Sequence, residues 1–412
     1  MNRLLQAFLA RTIKKGRLDV VDRSGVTHRF GNDSGGLVRI RFNSAAAERA
    51  VLLDPELQLG EQYMNRGYDV EVGSVLDLLT LLFVNLGGNR PTWWTRALSS
   101  ARSIFRGVFE NNEPTRAQDN VQRHYDLDGR LYALFLDVDR QYSCAYFEDG
   151  VTSLEQAQLA KKRHIAAKLT LQPGQRVLDI GSGWGGLAIY LAETFEVDVT
   201  GITLSEEQHA VSTQRARERG LSDRVCFLLQ DYRTLGGSFD RIVSVGMFEH
   251  VGRSHYREFF GQLHALLADD GVALVHTIAM KNDPGPFNPW MQRYIFPGAY
   301  LPTLSELAPV IERQDFWLSD MENWRLHYAK TLAAWNERFQ AHRAEAAVLY
   351  DDRFCRMWEF YLQFCEVGFR MAGLCVFQMQ LTKKIDAVPI TRDYIYSQTE
   401  SAVSKRTSIK AR

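Results

Sequence analysis

The chain has 412 residues, 45% hydrophobic and 24% charged, with Lys+Arg and Asp+Glu both at 49 and a formal net charge of zero. That is ordinary for a globular protein of two domains or a little more, and it excludes a global basic field for nucleic acid. The cysteines (Cys144, Cys226, Cys355, Cys365 and Cys375) are odd in number and form no C-x-x-C pair, which argues against a disulfide framework and a structural zinc site and fits a reducing cytoplasm.

The N-terminal MNRLLQAFLARTIKKGRLDV spaces Leu4, Leu5, Phe8, Leu9 and Ile13 as a helix would. Arg11, Lys14, Lys15 and Arg17 interrupt or flank them, so no secretory core is present. RLDVVD, THRF and LVRIRF alternate as strands do, separated by the turn signals DRSG and GNDSGG. The apolar window VLDLLTLLFV from Val75 is too short to span a bilayer. Residues 1–86 therefore read as a small α+β domain.

Residues 87–120 read as a connector, with a helix after Pro91 and then the polar linker ENNEPTRAQDN. Trp93 and Trp94 stand beside Arg96, and Arg102 and Arg106 follow. That mixture suits an interfacial membrane helix or, equally, a packing helix between domains.

From 121 to 385 strand-like and helix-like segments alternate. RVLDIG, DVTGITL, RVCFLLQD, FDRIVSVG and GVALVHTIA are the strands, with GLAIYLAETF and EEQHAVSTQRARERG among the helices between them. The pattern predicts a doubly wound α/β sheet with a parallel core. Residues 335–383 read as helical, and 386–412 as a polar tail.

VLDIGSGWGG ends a strand in Asp179, Gly181, Gly183, Gly185 and Gly186. G-x-G-x-x-G between strand and helix lets a nucleotide-like ligand approach the backbone, although a tight turn without ligand has the same glycines. A dinucleotide needs an acidic residue at the end of the next strand; Thr203 and Ser205 stand there instead. Asp179 before the glycines resembles motif I of the Rossmann-type, class I S-adenosylmethionine methyltransferases. Further on, FDRIVSVGMFEHVG runs from a buried-looking strand into Glu249 and His250.

Taken together, HYDLDGRLYALFLD, QYSCAYF, SLEQAQLAKKRHIAAKLTLQPGQRVLDIGSGWGG, GITLSEEQ, GMFEHVG, LVHTIA, YIFPGAYLPTLSEL and HYAKTLAAWNERF resemble the cyclopropane-fatty-acyl-phospholipid synthases and mycolic acid cyclopropane synthases. The extra N-terminal domain is similar to that of the phospholipid-acting members. The resemblance implies a Rossmann-type sheet with helical acyl-binding additions, S-adenosylmethionine as methyl donor, and methylene transfer to a cis double bond in phospholipid acyl groups. It further implies bound bicarbonate as base, held by Cys144, Glu249, His276, the backbone of Ile278, and Tyr328, with His250 structural.

By the same resemblance Tyr142 and Ser143 close over the cofactor, Gly181 and Gly183 lie under its amino acid portion, and Asp179, Gly185 and Ser205 also belong to the cofactor site. Thr203 and Gln208 meet the ribose, and Asp231 and Tyr232 the adenine. A peripheral phospholipid-membrane location on the cytoplasmic side and a homodimer follow from it too, with no nucleic acid and no metal. Ser182 stands where many members have Cys, and Pro284, Pro286, Pro289 and Trp290 suggest a rigid acyl-channel wall. Each site residue has a plainer reading: Cys144 as a small core residue, His276 as a core histidine, Tyr328 as a helix-surface residue, Glu249 as a helix N-terminal carboxylate. Two other functions stay open: methylation of an acyl carbon giving a methyl- or methylene-branched product, and a non-catalytic lipid-binding protein.

Overall fold

A computed structural model describes residues 1–86, 128–281, 284–285 and 287–396. The connector of 87–120 with Trp93, Trp94 and Arg96, Pro286, and the tail beyond 396 lie outside the described residues. In sequence order the elements begin with α1 (Arg3–Thr12), β1 (Arg17–Val21), β2 (Thr27–Gly31), β3 (Leu37–Phe42), α2 (Ala45–Leu53), α3 (Pro55–Met64), β4 (Tyr68–Val72) and α4 (Val75–Leu86). Next come α5 (Gly129–Phe135), α6 (Leu154–Leu169), β5 (Arg176–Ile180), α7 (Gly186–Phe195), β6 (Asp198–Thr203), α8 (Glu206–Glu218), β7 (Val225–Leu229), β8 (Phe239–Val245), α9 (Tyr256–Leu266) and β9 (Leu267–Met280). The last are α10 (Pro289–Tyr294), α11 (Leu304–Arg313), β10 (Trp317–Asn323), α12 (His327–Ala341), α13 (Arg343–Leu349), α14 (Asp352–Met371) and β11 (Leu374–Thr382).

These form two compact units that are not continuous in sequence. The first takes 1–86, 285–297 and 329–374. Its sheet runs β2-β1-β3-β4, with β1 and β3 parallel. LVRIRF alternates as its sequence predicts, with Val38, Ile40 and Phe42 buried. Asp19 on β1 is buried between Arg17 and Arg39, each at 3.1 Å, and the Arg17 hydrogen bond holds its carboxyl below the usual range.

The sequence division put α14 with the catalytic domain. Compactness groups it instead with the N-terminal elements, because Arg356 donates to the carbonyls of Tyr63 (2.6 Å) and Tyr68 (3.0 Å) and covers the Tyr63 ring at 3.9 Å. Trp290, read as a channel wall, is buried in this unit. A side chain at Gly60 would come within 2.5 Å of its indole nitrogen.

The second unit takes 128–284, 298–328 and 375–396. Its sheet runs β10-β11-β9-β8-β5-β6-β7, and the pairs from β9 through β8, β5 and β6 to β7 are parallel. The predicted strands are present. One expectation fails: LCVFQMQLT is strand β11, not the end of a helical region. Gly373 at φ +81° ends the helix, and the run that follows directly on it alternates with the two-residue period of a strand. The backbone moves outward from β5 in both directions, so strand order reverses between β5 and β8, where doubly wound sheets bind ligands.

Candidate active site

At that reversal a cleft opens over the carboxyl ends of β5, β6 and β8, lined by Gly181, Gly183, Thr203, Gln208, Asp231, Tyr232 and Met247 among others. Gly183 has φ +53°, and a Cβ there would meet nothing within 4 Å, so its backbone faces open space. Gly185 serves packing instead. A Cβ there would fall 2.6 Å from the Phe227 ring and 2.8 Å from Ser212, and Gly185 does not line the cleft.

Asp179 closes β5 beneath the loop. It is buried, its Oδ2 has no hydrogen-bond partner, and burial pushes its carboxyl up to about 7 while Lys161 pulls the other way.

β6 ends in Thr203, whose hydroxyl donates to Gln208 Oε1 at 2.9 Å. Ser205, expected at the cofactor, caps α8 by accepting from the Gln208 amide at 3.3 Å and does not line the cleft. Asp231 does line it, with its carboxylate already engaged by Arg233: Nη2 at 2.6 Å and the backbone N–H at 2.9 Å. Tyr232 is buried edge-on against Phe259 at 5.3 Å.

The opposite wall is the QYS segment. Tyr142 packs edge-on against Tyr132 at 5.3 Å, and Tyr132 against Trp184 at 4.8 Å. On α6, Gln158 donates to the carbonyls of Gln141 (3.3 Å) and Ser143 (3.0 Å). Lys161, one turn on, donates to Gln141 Oε1 (2.7 Å) and Ser143 Oγ (2.8 Å).

Beside the cleft β8 runs into a 3-10 turn, Phe248–His250. Phe248 is fully buried and stacks on Tyr256 at 4.6 Å, which anchors the turn. The Gly246 N–H bonds the His276 carbonyl at 2.9 Å, joining the turn to β9. Glu249 is thereby turned inward. Its Oε1 accepts the Ile278 N–H at 2.6 Å, and its Oε2 is buried without a hydrogen-bond partner. Burial raises its pKa to about 7 against the Ile278 bond, its own backbone N–H and the Thr277 hydroxyl.

His276 lies two residues before Ile278, on the same face of the strand. Burial holds it neutral, well below the usual imidazole range, and the Gln378 amide is hydrogen-bonded to Nδ1 at 3.1 Å. His250 lines the cleft and is pushed down to about 4 by burial.

Cys144 and Tyr328 are both buried. Their sequence neighbours Tyr146 and His327 join a series of aromatic contacts that leads to His276. His276 meets Trp324 edge-on at 4.9 Å, Trp324 meets Tyr146 at 4.9 Å, and Tyr146 stacks on His327 at 4.7 Å. The Phe147 N–H donates to His327 Nδ1 at 3.0 Å. The segment carrying Cys144 and the start of α12 carrying Tyr328 are thus tied to β9.

One expectation meets competition: the Ile278 N–H offered to bicarbonate is donated to Glu249. Sequence reasoning missed Gln158, Lys161, Trp324 and Gln378. For Gln158 and Lys161 the signal was polarity where burial is expected: Leu154, Gln158, Lys161, Ile165 and Lys168 follow one helical stripe.

Residues 112–379 match the family model described as mycolic acid cyclopropane synthetase. The chain is 39% identical over 349 residues to cyclopropane-fatty-acyl-phospholipid synthase from Escherichia coli (strain K12), spanning 84% of this chain and 88% of the relative. The solved cyclopropane synthase MmaA2 from Mycobacterium tuberculosis aligns with TM-score 0.62 at 35% identity, over 64% of this chain and 97% of that one. Mycolic acid cyclopropane synthase CmaA1, solved in complex with SAH and CTAB, aligns at 0.61 and 34% over the same shares. With over half its length matched by the family model and these identities beside it, the chain belongs to the mycolic acid cyclopropane synthetase family.

Proposed function

We propose that this enzyme transfers a methylene unit from S-adenosylmethionine to a cis double bond of phospholipid acyl groups, closing a cyclopropane, with bound bicarbonate as base. Glu249 carries the reading. A carboxylate fixed through one oxygen, with the other oxygen buried and lacking a donor, stands beside a cofactor-type cleft. Such an oxygen suits the hydroxyl of a bicarbonate ion.

The residues also fit the cofactor. Gly183 leaves its backbone open, and the unpartnered Asp179 Oδ2 suits the ammonium of an amino acid portion held with Gly181, Tyr142 and Ser143. Thr203 and Gln208 would take the ribose, and Asp231 and Tyr232 the adenine. Cys144, His276 and Tyr328 would hold bicarbonate with Glu249. When bound, S-adenosylmethionine supplies an electrophilic methyl group, and bicarbonate supplies a proton acceptor.

The protein's own work is electrostatic. Neutral His276 places no positive charge against a cationic carbon on the acyl group. Burial brings Glu249 near neutrality, where it would accept a proton from a bound bicarbonate, and the two acids would then titrate as a pair.

The exposed face of α1 supports contact with an anionic phospholipid surface. It presents Arg3, Arg11 and a Leu4 that is 71% exposed, and exposed Lys14 and Lys15 follow directly after the helix, with no acid before Asp19. Among the described residues no helix is long and apolar enough to cross a membrane.

The base is tested by turnover on vesicles of cis-unsaturated phospholipid in carbon-dioxide-free solution. Activity should fall and return when bicarbonate is added, and Glu249→Gln should abolish the return. Full activity without bicarbonate would overturn that assignment.

A further inference from the structure

Three lysines of α6 are buried: Lys161, Lys162 and Lys168. Two are conventionally paired, Lys162 with Asp139 at 2.6 Å and Lys168 with Glu322 at 2.6 Å. Lys161 is not. It is fully buried, yet among the described residues no carboxylate lies within ion-pair distance, and its hydrogen bonds go to two neutral oxygens, Gln141 Oε1 and Ser143 Oγ. A buried ammonium without a directly bonded carboxylate is a poor stabiliser. Its position needs another account, and the cleft supplies one, because Lys161 lines it.

We propose that Lys161 is a positioning residue for the reaction: its ammonium clamps the Gln141–Ser143 segment against α6, setting Tyr142 and Ser143 at the cofactor and Cys144 at the base site. This rests on the cleft being the S-adenosylmethionine site. Gln158 fixes the backbone of the segment through its carbonyls, and Lys161 fixes its side chains. The division matters because a loop held only by its carbonyls can still turn its side chains. The charge of Lys161 also has an audience beyond the segment. Asp137 and Asp139 stand on the segment side and Lys162 on its own helix, Cys144 follows Ser143, and Asp179 and His276 face it from β5 and β9. Burial lowers Lys161 to about 8, so the ammonium persists at neutral pH.

The test is calorimetric binding of S-adenosylhomocysteine to wild-type protein, Lys161→Met and the double variant Gln141→Leu/Ser143→Ala, with steady-state kinetics on each. Removing charged hydrogen bonds of this kind predicts a Kd for S-adenosylhomocysteine weaker by about 10- to 100-fold in Lys161→Met. KM for S-adenosylmethionine should rise with it, while KM for lipid and the melting temperature stay near wild type.

The double variant keeps the lysine and removes both acceptors. It should show the same loss, and adding Lys161→Met to it should cost little more. If Lys161→Met does not fold, the double variant decides alone. Wild-type affinity and KM in whichever variant folds would overturn the proposal. Additive losses in the triple variant would also overturn it, since Lys161 would then act elsewhere. Wild-type protein that fails to bind S-adenosylhomocysteine would instead overturn the cofactor reading beneath it.

Discussion

Replacing Glu249 with Gln should make the protein more stable and inactive at once. The carboxyl is buried, with its pKa raised from 4.5 to about 7 by desolvation. The folded state therefore binds a proton that the unfolded state has released at any pH between those values, so stability falls as pH rises through this window. At about 1.36 kcal/mol per pH unit, the distance from 4.5 to about 7 amounts to about 3 kcal/mol of destabilisation, complete above pH 7 and absent below 4.5.

Glutamine keeps an oxygen for the Ile278 N–H and carries no charge. Glu249→Gln should gain up to about 3 kcal/mol at pH 8 and almost nothing at pH 4.5. Turnover should fall by about 100-fold or more, the scale of losing an acid–base partner. Urea unfolding at the two pH values reads the first effect, and transfer of labelled methyl from S-adenosylmethionine to vesicle lipid reads the second. An equal stability change at both pH values would refute the buried, raised carboxylate. Retained turnover would refute its role in the base site.

Other perturbations separate the parts of the site. Gln378→Leu removes the hydrogen-bond partner of His276 Nδ1, so kcat should fall about 10-fold or more with KM for S-adenosylmethionine unchanged; a loss confined to KM would contradict it. Gly185→Ala puts a methyl 2.6 Å from Phe227 at a φ of +78°, and should cost about 2 kcal/mol or more in thermal unfolding; an unchanged melting temperature would contradict the packing assigned to it. Reversing Arg3, Arg11 and Lys14 to Glu removes about 1 kcal/mol of attraction per neutralised cation, so flotation on anionic vesicles at low salt should weaken by about 100-fold or more while neutral vesicles show no change. Equal binding to anionic vesicles would dismiss α1 as a docking face.

The doubly wound sheet could be read from the sequence because its strands are short apolar runs with glycine punctuation, and Gly181, Gly183 and Glu249 sit where such strands end. Residues 374–382 were misread because they follow directly on a long helix, although Gln378, Gln380 and Thr382 alternating with Phe377, Met379 and Leu381 carry the two-residue period of a strand. The place of α14 was hidden because Arg356 meets carbonyls nearly three hundred positions away, at Tyr63 and Tyr68. Ser205 looked like a ligand residue because serine at a strand end serves a helix cap as readily as a ribose. The Ile278 N–H has one bond to give, and only coordinates could show it given to Glu249. Lys161 escaped notice because a lysine in AKKR looks like a solvated face until its burial is known.

The most direct test of the central claim is mass analysis of the lipid product. The protein would be incubated with S-adenosylmethionine and vesicles of a cis-monounsaturated phospholipid, and the released fatty acids then hydrogenated mildly. A product one CH2 heavier than the substrate acid that takes up no hydrogen is the predicted result, and it is a cyclopropane. A heavier product that does take up hydrogen would be a branched alkene, and a saturated methyl branch would be told from the ring by its two extra hydrogens; either would contradict ring closure. No heavier product from any unsaturated phospholipid would contradict the acyl acceptor itself.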